Sequence, residues 1–250
     1  KVTENNGIMF FFLCQHFFKT YDINYLKEVK TMENAIDLIK KNWNYEKTFL
    51  DFDKFFKASI LIPLCEINEK SYVIFEKRSK SIKQGDEICF PGGKYENSDI
   101  NFSFTAIRES SEELGISIEK IEILKELNVF VTPFNSIIYS FLGFLKIDSF
   151  DELIFNTHEV QKLIFIPLSW LLDQEPEIYK IYQESHPHTF DKFGNQIKTF
   201  PAKDYGLPEK YHSSWSNGFR EIYLYNYQGD IIWGFTASIL KDFLEKFKKL

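Results

Sequence analysis

The stretch from Phe90 to Gly115, FPGGKYENSDINFSFTAIRESSEELG, restricts the fold more than any other part of the chain. Pro91, Gly92 and Gly93 break any regular element that precedes them. The residues from Phe102 to Leu114 then carry helical spacing, and Gly115 is placed to close that helix in a left-handed conformation. Upstream, SILIPL (Ser59 to Leu64) and SYVIFE (Ser71 to Glu76) are short β-rich runs. The polar CEINEK between them makes them a pair of strands. The order is therefore strand, loop, helix, which is the grammar of an α/β fold.

The helix carries an oddity. At about 100° per residue, Glu109, Glu112 and Glu113 fall within roughly a 100° arc of one face. Like charges at that spacing cost a helix a few tenths of a kcal/mol per pair. A bound cation would reverse that sign, while an acidic, solvated helix face would simply tolerate it. The octapeptide by itself leaves both readings open.

The rest of the chain supplies the scaffold. Ala35, Ile36, Leu38 and Ile39 give a leading helix from Met32 to Trp43, and further strands are expected at Ser136 to Leu145 and Lys162 to Leu168. Glu221 to Tyr227 and Asp230 to Trp233 flank Gln-Gly as a hairpin. A last helix follows Thr236, with Leu240, Phe243, Leu244 and Phe247 on one face. Residues from about 173 to 220, rich in Tyr, His, Pro and Gly, read as a long, partly ordered insertion. With no internal repeat and no low-complexity linker, 32–250 reads as one domain and 1–31 as an N-terminal extension of unknown role.

Composition narrows the function. Thirty basic residues against 36 acidic ones give a net charge of −6, which argues against binding DNA through a broad basic surface. Three widely spaced cysteines, 14, 65 and 89, form no disulfide framework or paired metal motif, so a reducing compartment is expected. The apolar run Ile8 to Cys14 is too short to span a bilayer, which takes about 20 residues, and no small-residue cleavage pattern follows it. The C-terminal Lys-Lys-Leu faintly resembles a peroxisomal address, with Lys248 where a small residue is expected. An intracellular, primarily cytoplasmic setting is expected, with peroxisome and mitochondrion as alternatives and no membrane partner. His158, His186, His188 and His212 offer no matched ligand set.

Read backward from the glutamates, GGKYENSDINFSFTAIRESSEELGI (Gly92 to Ile116) resembles the Nudix hydrolase box. Gly93, Arg108, Glu109, Glu112, Glu113 and Gly115 fit its pattern, and Asp99 stands at the usual acidic position with one extra residue before Arg108. That longer spacing with Asp, after FPGGK at Phe90 to Lys94, is similar to the coenzyme A diphosphatase branch. Arg78, Ser79 and Gly85 match the associated upstream signature, while Lys83 stands about where the branch has a second arginine. HEVQKLIFIPLSWLL (His158 to Leu172) and IIWGFTASIL (Ile231 to Leu240) resemble its downstream segments. Together the resemblance covers about residues 55–172 and 221–248.

What the resemblance implies is an α/β/α sandwich around a mixed sheet and hydrolysis of a diphosphate bond. It implies Mg²⁺ or Mn²⁺ held mainly by Glu109 and Glu113, with the Gly93 carbonyl contributing. Glu112 would be a ligand of a second metal or the water-activating base, and Glu159 an extra ligand or base. The chemistry of the residues agrees, because such cations want hard oxygen donors and keep water and phosphate oxygens in their shell. Gly92 and Gly93 allow backbone to approach a metal or phosphate closely. Arg78 and Lys94 are candidates to counter substrate phosphates, as a fork and a point charge. Arg108, from a different side of the helix, is expected to anchor the glutamate row. Tyr205, Tyr211 and Trp215 either stack on an adenine or anchor the loop they stand in.

The expected reaction is cleavage of coenzyme A or an acyl-CoA to adenosine 3′,5′-bisphosphate and an (acyl-)4′-phosphopantetheine, by a monomer or a homodimer. Hydrolysis of ADP-ribose, dinucleotides or capped RNA is the alternative within the enzyme class. A Nudix-fold protein that binds a nucleotide without cleaving it is the alternative outside it.

Overall fold

The structure, a computed structural model, describes residues 32–42 and 50–250. The 1–31 extension, with its Ile8 to Cys14 run, and Trp43 lie outside the described residues. The chain divides into two compact units, 1–52 and 53–250. In the first, α1 (Met32–Asn42) ends on Lys40 and Lys41, charges that suit the negative end of a helix.

The second unit is built on an eight-stranded mixed sheet around β1 (Phe56–Ile67). The strands that flank β1 explain where a site can form. One edge of β1 runs parallel to β7 (Ser136–Leu145). The other edge first pairs β4 (Gly92–Lys94) at Ala58 to Ile60, then β2 (Lys70–Arg78) at Leu64 to Ile67. Beyond Val73, β2 leaves β1 and pairs instead with β3 (Ile88–Cys89) at Glu76 and Lys77. Thus β1 and β2 splay apart, and the loop joining β3 to β4 fills the wedge between them. Pro63, which has no N–H to offer a ladder, stands at the changeover. The Leu61 N–H bridges it by donating to the Pro91 carbonyl at 2.9 Å.

On its far edge β2 pairs β8 (Val160–Pro167), and β7 also carries β5 (Ile121–Glu126) and β6 (Phe130–Thr132). Alternation along the central strands fills both faces. Leu61, Cys65 and Ile74 pack with Ala106 and Leu114 of α2 (Phe102–Leu114) on one side. Ile62, Val73 and Phe75 pack on the other side with Leu168 and Leu171 of the short α3 (Leu168–Asp173) and with Ala237, Leu240, Phe243 and Leu244 of α4 (Gly234–Phe247). This is the expected helix, sheet, helix layering.

Two details differ from the sequence reading. Pro167 ends β8 and Leu168 opens α3, so that strand runs from Val160 rather than Lys162 to Leu168. The last helix starts at Gly234, before Thr236. Residues 173–220, expected to be partly ordered, hold β9 (Glu177–Ser185), the hairpin of β10 (His188–Phe190) and β11 (Gln196–Lys198), and the start of β12 (Trp215–Tyr227). With β13 (Asp230–Trp233), β12 and β9 form a three-stranded sheet. Neither face of β9 is covered, so Ile178, Tyr179, Ile181 and Tyr182 show none of the alternation that marks a strand in sequence.

Candidate active site

The wedge between β1 and β2 collects the acidic groups. Val73, Ile74 and Phe75 are fully buried, and Glu76 continues that run with no exposure at all. One of its oxygens, Oε1, accepts from the Cys89 thiol at 3.2 Å and lies 3.7 Å from Arg78 Nη1. The other, Oε2, is buried with no hydrogen-bond partner among the described residues. From the opposite side, the nearly buried Glu113 accepts the Gly92 N–H at 2.8 Å.

Both ends of α2 are fixed, and this aims the glutamates. Asn101 caps its start by accepting the Phe104 N–H at 2.8 Å. Gly115 closes it at φ 64°, where a Cβ would stand 1.8 Å from the Ile154 carbonyl oxygen. Between the caps, the Glu109 carboxylate lies so close over Gly93 that a Cβ there would stand 2.4 Å from Glu109 Cδ. Gly92 is tighter still, at φ 148°, with a hypothetical Cβ 2.3 Å from the Ser59 carbonyl oxygen. Glu112 remains more than half exposed.

Asp99 spends its carboxylate on structure. Its two oxygens take Arg108 Nε at 2.9 Å and Nη2 at 3.1 Å, and Oδ2 also accepts from Thr105 Oγ1 at 2.8 Å and the Glu96 N–H at 3.0 Å. Arg108 continues to Glu109 Oε1 at 3.0 Å, to Glu112 Oε2 at 3.5 Å and to the Lys94 carbonyl at 3.3 Å. The sequence put Arg108 on a different side of the helix from Glu109; its long side chain curls back and reaches both glutamates. The extra residue after Asp99 leaves its carboxylate within reach of the arginine, which it anchors.

The electrostatics follow from this packing. Hydrogen bonds from Arg108 hold the Asp99 carboxyl well below the usual carboxylate range. Burial pushes Glu113 and Glu76 upward, and each makes ionisation of the pair harder, with Glu109 adding to both. Burial also raises Glu109, against the pull of Arg108. Glu159 is half-buried, and its charge opposes ionisation of Glu76 and Glu109, so it faces the same pocket of negative potential. Its carbonyl accepts the Ser79 N–H at 2.7 Å, which ties it to the end of β2.

The placement of the other candidates differs. Arg78 stands at the wedge, held by the Lys83 carbonyl at 3.4 Å. Lys94 is exposed, and its backbone carbonyl rather than its ammonium meets Arg108. His186 approaches Glu184 at 3.7 Å and His212 contacts the Leu207 carbonyl at 2.9 Å, both far from α2 in sequence. Tyr211 packs edge-on against Trp215 at 5.3 Å, and Tyr205 is exposed.

A hard divalent cation fits this donor set. The buried Glu76 Oε2 lacks a partner, the bare face of Gly93 admits the Glu109 carboxylate, and the crowded carboxylates repel one another without a counter-charge. Among the described residues no three His, Cys, Asp or Glu side chains stand close enough to hold an ion by themselves. Magnesium characteristically binds through one or two carboxylates and completes its shell with water and substrate phosphates. Sequence reasoning missed Glu76. Its signal was a carboxylate directly continuing an apolar run in a strand buried on both faces.

The NUDIX domain family model matches residues 56–185, just over half of the chain, and the chain belongs to the Nudix family. Nudix hydrolases require divalent cations. The chain is 34% identical over 124 residues to the mouse peroxisomal coenzyme A diphosphatase NUDT7, covering 49% of this chain and 51% of that protein. It is 31% identical over 127 residues to Nudix hydrolase 3 of Caenorhabditis elegans, covering 49% and 52%. To the human mitochondrial coenzyme A diphosphatase NUDT8 it is 27% identical over 124 residues, again covering 49% and 52%. The chain thus spans about half the length of these curated relatives.

Proposed function

We propose that this chain is a divalent-metal-dependent pyrophosphohydrolase that cleaves the diphosphate of coenzyme A or an acyl-CoA. The observation that carries the reading is the seating of Glu113 on the Gly92 N–H and of Glu109 over Gly93, beside the buried Glu76. In this reading Glu109 and Glu113, with the Gly93 carbonyl, hold Mg²⁺ or Mn²⁺. Exposed Glu112 serves a second cation or accepts a proton from the attacking water, and Glu159 is the alternative base. Arg108 positions the row through Asp99, and Arg78 and Lys94 counter the substrate phosphates.

Bound metal supplies charge neutralisation and orientation at the diphosphate. Water attacks one phosphorus and the bridging P–O bond breaks. The water oxygen stays on the attacked phosphorus, the bridging oxygen leaves with the other phosphate, and a proton passes to the carboxylate base. The products are adenosine 3′,5′-bisphosphate and (acyl-)4′-phosphopantetheine. Similarity to two coenzyme A diphosphatases and the Phe90 to Lys94 loop support this substrate. Among the described residues no helix is long and apolar enough to cross a membrane. The reading includes an intracellular site of action, one domain elaborated by residues 173–220, and a homodimer as an assembly to test by sedimentation.

The test is incubation with Mg²⁺ or Mn²⁺ and a panel of CoA, acyl-CoA, ADP-ribose, NADH and capped RNA, with products read by mass. Release of 4′-phosphopantetheine, lost in Glu112→Gln and Glu113→Gln, is expected. Preference for another diphosphate overturns the substrate, and no cleavage of any favours nucleotide binding without turnover.

A further inference from the structure

Away from the glutamates, a cleft of about 660 Å³ opens between the β5–β6 connection, β12 and α4. That volume falls within the range of small-molecule sites. Most of its charges are already spent. Lys241 pairs with Glu245, and Asp242 pairs with Lys246 and accepts from Asn128 Nδ2 at 3.0 Å. Glu221 accepts the Tyr223 hydroxyl at 2.8 Å.

Arg220 is the exception. Its guanidinium carbon lies 5.1 Å from the Phe235 ring centre and 5.9 Å from that of Phe134, which fixes its direction. Its Nε is buried without a hydrogen-bond partner, and among the described residues it has no carboxylate. A planar guanidinium pre-set on aromatic rings and free of a carboxylate offers its two terminal nitrogens to an oxyanion as a fork. Beside it, Val129 and Val131 remain about half exposed, with Phe130 and Ile239 completing an apolar lining.

We propose that this cleft binds a small organic oxyanion, with the phosphate or carboxylate head on Arg220 and an apolar body against Val129, Phe130, Val131 and Ile239. The site is separate from the glutamates and stands whether or not the diphosphatase reading does.

Calorimetry on the metal-free protein tests it, with octyl phosphate, octanoate, octanol and inorganic phosphate as probes. Octyl phosphate or octanoate should bind at least tenfold more tightly than octanol, which lacks the head, and than inorganic phosphate, which lacks the body. Whichever of the two binds better identifies the head group. Arg220→Gln should lose at least tenfold, and Ser238→Phe, which adds bulk on the helix wall of the cleft, should lose as much. Thermal melts confirm that both variants fold. Absence of binding, equal binding of octanol, or unchanged affinity in both folded variants overturns the proposal.

Discussion

Arg108 grips both oxygens of Asp99, with Nε 2.9 Å from Oδ1 and Nη2 3.1 Å from Oδ2. The same guanidinium reaches Glu109 and Glu112, so a loop carboxylate nine residues upstream sets the position of the glutamate row. A nearly buried, two-pronged contact of this kind is worth more than a surface ion pair.

Asp99→Asn replaces an acceptor facing the guanidinium by an amide. It should cost about 1.5–3 kcal/mol, the usual range for a hydrogen bond to a charged group. For a chain of this length that lowers Tm by roughly 2–4 °C per kcal/mol. Because the folded-state pKa of Asp99 is depressed, its contribution is complete above the unfolded value of about 3.9 and is lost as pH falls through the folded value. The urea midpoint of the native protein should therefore drop more steeply below pH 4 than that of the variant.

Gly93→Ala and Gly92→Ala should separate function from folding. The three atoms nearest a Cβ at 93 all belong to the Glu109 carboxylate, the end of a flexible side chain, so the fold should survive while the carboxylate moves by an ångström or so. A displacement of that size costs up to about 100-fold in rate. A Cβ at 92 meets the backbone of Ser59 and Ile60 at a positive φ, so this variant should lose stability as well. Melting curves beside kcat/KM distinguish the two.

Much of this was legible in the sequence, for reasons that particular residues show. Phe102 to Leu114 matched the observed helix because its spacing and Gly115 report local backbone physics, and Ser136 to Leu145 matched because β7 is a long, largely apolar run. What sequence could not show was the splaying of β1 from β2, which depends on pairings between residues far apart in the chain. Glu76 was hidden for that reason. So was β9, whose pairing with β12 relies on backbone hydrogen bonds and leaves no apolar period to read.

The metal-free protein should become less stable as pH rises. Glu76, raised to about 7, and Glu113, raised to about 9, bind protons in the folded state that the unfolded chain releases near 4.5. Between these values the folded state holds more protons, so unfolding free energy falls with pH. Mn²⁺ should reverse the trend, with a gain in Tm that is larger at pH 8 than at pH 6 because the cation competes with protons. Glu76→Gln should flatten the metal-free slope. A metal-free Tm that rises from pH 6 to 8 contradicts this account.

Arg78→Gln should raise KM for a diphosphate substrate about tenfold, the equivalent of one lost charge-assisted contact. Lys94→Ala should do less, since its ammonium is solvated. Mn²⁺ affinity should change by less than about twofold in Lys94→Ala, which keeps the backbone carbonyl that Arg108 uses. Steady-state kinetics and metal titration on the same preparations give both numbers.

The most direct measurement is Mn²⁺ binding by electron paramagnetic resonance to the native chain, Glu109→Gln and Glu113→Gln, each checked for folding by circular dichroism. The carboxylates seated against Gly92 and Gly93 should hold the ion, so each substitution should weaken binding at least tenfold. Undiminished Mn²⁺ binding in both folded variants would contradict the assignment of this wedge as the metal centre.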